Sequence, residues 1–115
     1  MAKQTFIWSA AGVITNATEQ ELELPVREGS WLICYDRLTL VDETSSPTSV
    51  KIGLKAGTSV SILDGRATPG VDIPFSVAGK VFAPSSYRPC ARFSGASLGD
   101  RIAFYAYGYL TDEVS

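Results

Sequence analysis

The strongest regularity in the chain is an alternation of apolar and polar residues with a period of two. It is interrupted about every eight to twelve residues by glycine, proline, aspartate and serine, the pattern of sandwiches and barrels. Glu21-Leu22-Glu23-Leu24 alternates cleanly, which turns both leucines inward and predicts a strand that Pro25 closes. Glu28-Gly29-Ser30 reads as a turn into the longest strand, residues 31–41, with Trp31, Ile33 and Tyr35 on one face. Beyond Asp36 the apolar phase slips to Leu38 and Leu40, as at a β-bulge, although a strand buried on both sides gives the same pattern. Val50, Ile52 and Leu54 alternate with Lys51, Gly53 and Lys55, so this strand has one wet face, and its lysines suit a sheet edge.

The remaining segments are shorter. Thr5-Phe6-Ile7-Trp8 opens an extended N-terminal arm, about residues 1–12, that Ala10, Ala11 and Gly12 end, and residues 13–20 read as a loop. After a turn at Ala56-Gly57-Thr58, residues 60–63 form a strand that stops at Asp64-Gly65 and continues as a long arm through Pro69 and Gly70. Residues 71–77 place Ile73, Phe75 and Val77 on one face, with Pro74 marking an edge or a bent strand. Brief strands follow at 80–82 and 90–93. Residues 101–110 then put Ile102, Phe104 and Ala106 on one face and Tyr105, Tyr107 and Tyr109 on the other. No helix is credible and no crossover is long enough for parallel pairing. The expected fold is all-β: a single antiparallel β-sandwich over residues 1–115 with about eight strands.

Composition sharpens the exclusions. The 115 residues are 45% hydrophobic and 19% charged, ordinary for one globular core and too apolar for disorder. The formal charge is −2 and the basic residues form no run, which argues against nucleic acid as a partner. No apolar stretch approaches the ~20 residues that cross a bilayer, and residues 1–11 lack the outline of a signal peptide. Membrane association is not expected. Cys34 and Cys90 lie in strand-like runs and read as buried thiols.

There is no histidine, which removes the commonest general base and metal ligand together. Asp36, Asp64, Asp72 and Asp100 are the candidates for a carboxylate pair, but most sit in turns, where aspartate serves the backbone. The glycine-bearing stretch 94–100 lacks the lysine and following helix of a phosphate loop. The expectation is therefore no enzyme, no catalytic residue, no cofactor and no metal. What remains is surface. Tyr105, Tyr107 and Tyr109 should form a row, with Tyr87 near it if that segment folds alongside, and the row has three readings: core, protein interface or sugar-stacking platform. Trp8 and Trp31 read as core or rim anchors. Loops 41–50 and 64–72 are the ones expected to reach away from the sandwich.

The chain resembles small β-sandwich virion proteins of tailed bacteriophages, especially jelly-roll decoration or cement proteins of the capsid. The likeness lies in the extended start at Thr5 to Trp8, the abundance of Ser, Thr, Gly and Ala, and the closing turn Leu98-Gly99-Asp100-Arg101 before an aromatic last strand. It implies a jelly-roll-like fold and a structural role in the virion, reached from the host cytoplasm. Its partners would be the major capsid protein or neighbouring copies, in a homo-oligomer with a trimer favoured. Phe6, Trp8, Tyr87, Tyr105, Tyr107 and Tyr109 are the candidate interface. The alternative is a carbohydrate- or receptor-binding sandwich using the same aromatic residues.

Overall fold

The chain folds back on itself at Gly57-Thr58, where Gly57 takes a left-handed conformation (φ 61°) that closes a tight hairpin. Every described strand before that point pairs with one after it. A computed structural model describes residues 3–24, 31–77 and 79–112. Among these it has nine strands: β1 (Lys3–Val13), β2 (Glu19–Glu23), β3 (Trp31–Asp42), β4 (Ser49–Ala56), β5 (Ser59–Ala67), β6 (Phe75–Ser76), β7 (Val81–Pro84), β8 (Arg88–Ser94) and β9 (Arg101–Asp112). They pair antiparallel as β1 with β9, β2 with β8, β3 with β6 and β7, and β4 with β5. Two further pairings, β3 with β9 and β4 with β8, knit these couples into two sheets. Sheet A runs β1-β9-β3-β6 with β7 also on β3, and sheet B runs β2-β8-β4-β5. The fold is an all-β, two-sheet antiparallel sandwich.

The core lies between the sheets. Ile33, Leu38, Leu40, Ile102, Phe104, Ala106 and Leu110 come from sheet A, and Val50, Ile52, Ala91 and Phe93 from sheet B. Ile14 and Leu24 plug the flanks. Leu22 packs half-buried against this core and Leu24 is fully buried, as their alternation predicts. The phase slip at Asp36 is a β-bulge: Tyr35 pairs with Gly108 and Arg37 with Tyr107, which leaves Asp36 as the extra residue. Tyr35 is carried inward by this geometry, and among the described residues its buried hydroxyl finds no hydrogen-bond partner. Tyr35→Phe keeps the ring and removes a desolvated polar group, so thermal unfolding should shift upward, by about 1 kcal/mol or roughly 5 °C.

Several expectations need correction. β1 continues through Ala10, Ala11 and Gly12 and pairs with β9 along its whole length, because small residues pack under Leu22 at that point. β5 continues through Asp64-Gly65 with a bulge at Leu63, and the turn chemistry there is overridden by eight residue pairs to β4. β4 is not an edge strand but lies between β5 and β8. Residues 71–77 reduce to β6 at the edge of sheet A, leaving Val71 and Ile73 exposed while Phe75 is buried. The turn expected at Glu28-Gly29-Ser30 and the side chain of Trp31 lie outside the described residues.

Candidate interaction surface

In an antiparallel sheet, residues directly opposite one another share a face. The inward set on β9 is Ile102, Phe104, Ala106 and Leu110, all buried, so Tyr105, Tyr107 and Tyr109 line the outer face of sheet A. Their partners on β1 are Ser9, Ile7 and Thr5, and on β3 they are Thr39, Arg37 and Cys34. Phe82 on β7 lies opposite Cys34 and extends the same face. Ile7 is 81% exposed, Phe82 59% and Tyr107 42%, a large apolar display for one sheet face. Between Ile7 and Tyr107 the bulge opens a shallow depression of ≈ 490 Å³ lined by Thr5, Phe6, Ile7, Asp36, Tyr107 and Gly108.

The charged groups on this face sit at its side. Lys80 approaches the Asp36 carboxylate at 3.4 Å and lies 6.0 Å from the centre of the Tyr109 ring. The Tyr109 hydroxyl and the buried Cys34 thiol are hydrogen-bonded, and that contact pushes the phenol pKa up. The thiol also reaches the Asp36 carboxylate at 4.0 Å.

The opposite outer surface, on sheet B, has a different character. Lys55 donates to Glu21 at 2.8 Å and to Glu23 at 3.0 Å, Arg92 pairs with Glu21 at 2.9 Å, and Arg88 pairs with Glu23 at 3.3 Å. Cys90 lies beneath this network, opposite Glu23 and Gly53, and burial followed by the Glu21 charge pushes its thiol pKa up. Cys34 and Cys90 therefore occupy opposite outer faces, and both are free thiols. Lys55 binds carboxylates and does not guard an edge.

Partial burial raises the Glu21 pKa, but Lys55 and Arg92 outweigh it and hold the carboxyl below its usual range. A carboxylate depressed in the folded state stabilises it above the unfolded pKa, and the contribution is lost as pH falls through the folded value. Glu21→Gln should therefore cost about 1 kcal/mol at neutral pH, less in high salt, and nothing once acid has protonated Glu21. Urea titrations at several pH values and salt concentrations would measure it.

The structure sorts the six candidate residues. Tyr105, Tyr107 and Tyr109 share the outer face of sheet A. Phe6 and Trp8 lie on its inner side, opposite Gly108 and Ala106, where their rings stack at 4.0 Å and meet Tyr35 edge-on at 5.8 and 6.3 Å. Tyr87 stands in the turn between β7 and β8, donating its N–H to Pro84, apart from the row. Ile7 and Phe82 were missed. Ile7 alternates with Phe6 and Trp8, so one of these two apolar sets had to face outward, and the aromatic rings masked the choice.

The loops singled out by their composition meet at one end of the sandwich. Thr68 donates its N–H to Thr48, Gly70 to the Ser46 hydroxyl and Asp72 to Asp42. Thr68 (φ 43°) and Asp72 (φ 54°) both hold left-handed backbone there, a strained setting for a β-branched threonine. Among the described residues no group of three or more His, Cys, Asp or Glu could hold a metal ion. Among the described residues no helix is long and apolar enough to cross a membrane.

No protein-family model matches the sequence, and no curated protein matches it. Among solved structures the chain is similar to one in the acidic stable capsid structure of Helicobacter pylori bacteriophage KHP30. The TM-score is 0.65 at 13% identity, covering 99% of this chain and 95% of that one. At that identity the likeness is one of fold. The nucleoplasmin-like N-terminal domain of Drosophila FKBP39 aligns with a TM-score of 0.48 at 13% identity, covering 97% of this chain and 96% of the other. The Drosophila NLP core aligns at 0.43 and 4%, covering 91% and 96%. Both scores are too low to carry an argument.

Proposed function

We propose that this chain is a structural protein of a phage virion, a decoration or cement protein that strengthens the shell through protein–protein contacts made by the outer face of sheet A. The observation that carries this reading is the fold likeness to a chain of a phage capsid structure over nearly the full length of both. The strand order supports a jelly-roll assignment, since four nested antiparallel couples are distributed over two sheets in the manner of a long hairpin rolled up. The contrast between the sheets supports the choice of face. The outer face of sheet B carries the paired charges of Glu21, Glu23, Lys55, Arg88 and Arg92, with Ile62 exposed on β5, whereas sheet A presents the more exposed Ile7 and Phe82 together with Tyr107, aliphatic and aromatic groups of the kind that fill the desolvated centre of an interface.

On this reading the protein works without catalysis or cofactor. It acts in the virion beside the major capsid protein or further copies of itself, as a closed cyclic oligomer with a trimer favoured. Light scattering coupled to size exclusion, together with mass analysis of purified virions, tests it. A trimer in solution and a fixed stoichiometry in the particle are expected. A chain that stays monomeric at high concentration and is absent from virions would overturn the proposal.

A further inference from the structure

Asp42 ends β3 and Asp100 immediately precedes β9, at the end of the sandwich where loops 14–18, 43–48, 68–74 and 95–100 meet. Both residues are sealed from water, at 3% and 2% exposure. Their oxygens can be accounted for one by one. Asp42 Oδ1 accepts the backbone N–H groups of Thr44 at 3.0 Å and Ser45 at 3.1 Å. Asp100 Oδ2 accepts the Ser45 hydroxyl and the backbone N–H of Ser97 at 3.3 Å. Among the described residues Asp42 Oδ2 is buried and receives no donor, and Asp100 is the acidic neighbour that acts on the Asp42 carboxyl. Ser45 is the crosspiece, touching one carboxyl through its amide and the other through its hydroxyl.

No cation offsets this pair. Among the described residues no lysine or arginine forms an ion pair with Asp42 or Asp100, and the charge of Asp100 raises the Asp42 pKa. Glu43, Asp72 and Arg101, whose backbones bond into the same loops, leave their side chains exposed. Two adjacent carboxylates in such a place resist being ionised together. A buried carboxylate oxygen with no donor is costly, whereas the same oxygen carrying a proton becomes a donor itself. Among the described residues these two carboxyl groups gather no third acidic, cysteine or histidine side chain. Two are too few for a calcium site, which takes about six to eight ligands, and sufficient for a proton.

We propose that one proton, held between Asp42 and Asp100, latches loop 43–48 to loop 95–100. This end of the sandwich is closed while the proton is bound and loosens when it passes to solvent. The inference does not depend on the virion reading.

The titration follows from the surroundings. Burial, reinforced by Asp100, pushes Asp42 above the ordinary carboxylate range. Asp100 is held below it, because Ser45, Asp42 and Ser97 outweigh its own desolvation. A raised folded pKa stabilises in acid and is lost as pH rises through the folded value, while a depressed one is lost as pH falls through its own. The latch is therefore tightest between the two values, which belong to the pair and not to either residue alone.

Urea unfolding of the wild type and Asp42→Asn between about pH 4 and pH 8 tests it. Asparagine keeps an acceptor for the Thr44 and Ser45 amides and offers an N–H to Asp100 at every pH. The wild-type midpoint should fall as pH rises, with faster amide exchange at Ser45 and Ser97, and Asp42→Asn should lose that dependence. As a readout that needs no variant, the Asp42 carboxyl carbon resonance of the wild type should titrate above the ordinary aspartate value of about 3.9. Parallel pH profiles in the two proteins, or an ordinary Asp42 titration, would overturn the latch. So would calcium raising the wild-type midpoint near pH 8, since a cation would then hold the pair.

Discussion

Gly108→Ala should lower the melting temperature by roughly 10–20 °C, the largest effect expected of any single methyl group in this protein. Gly108 faces Tyr35 across the β-bulge, and a Cβ built there runs into the Cys34 carbonyl oxygen and crowds the Asp36 amide. Both neighbours are backbone and cannot swing aside as a side chain would. The bulge must open or the β3–β9 ladder must part, at a cost of about 2–3 kcal/mol. Gly12 makes a useful contrast, because a Cβ there meets only the end of the Leu22 side chain at 3.2 Å. Gly12→Ala should be far milder. Differential scanning calorimetry of the two variants measures this, and equal losses would show that the bulge is not tightly constrained.

The second large effect concerns binding. Ile7→Lys combined with Tyr107→Glu should weaken attachment to virions stripped of this protein by about 100-fold, since charges would replace the central apolar groups of the proposed contact. The two positions lie directly opposite one another on β1 and β9, with Arg37 flanking Tyr107 on β3. The introduced charges are opposite in sign, so the isolated sheet gains a cross-strand pair and its melting temperature should move little. Lys51→Glu, on the outer face of sheet B, serves as the matched control. Full binding by the double variant would remove the outer face of sheet A from the interface, whatever the protein's place in the particle.

Much of the architecture was legible because alternation is a direct record of burial. Leu22 and Leu24, Val50 and Ile52, and the inward residues of β9 all lie where period two puts them, and the slip after Tyr35 marked the bulge. Three features escaped for physical reasons. Asp64-Gly65 has the chemistry of a turn, yet neighbouring β4 pulled it into a ladder. Lys51 and Lys55 suggested an edge, but a central strand also has a wet face, and Lys55 spends its charge on Glu21 and Glu23. The last strand has apolar residues on both sides, so alternation could not say whether Phe104 or Tyr107 faced the core. At the candidate surface the tyrosine row was visible and its orientation was not. The Asp42–Asp100 contact joins residues far apart in the chain through loop geometry, which no local pattern encodes.

The folding-back at Gly57 also bears on how the protein is made. β9 is the last strand in chain order and yet lies between β1 and β3 in sheet A. Until residues 101–112 have emerged from the ribosome, β1 and β3 lack the strand that joins them, and most of the core has no floor. Native pairing of β1 must then wait for its most distant partner, so the contacts that complete the sandwich close the longest loops, the slowest class to form. Until β9 is available Phe6, Trp8 and Ile33 are unsheltered, a state prone to aggregation. A truncation that removes β9 should leave an aggregating chain and not a smaller sandwich.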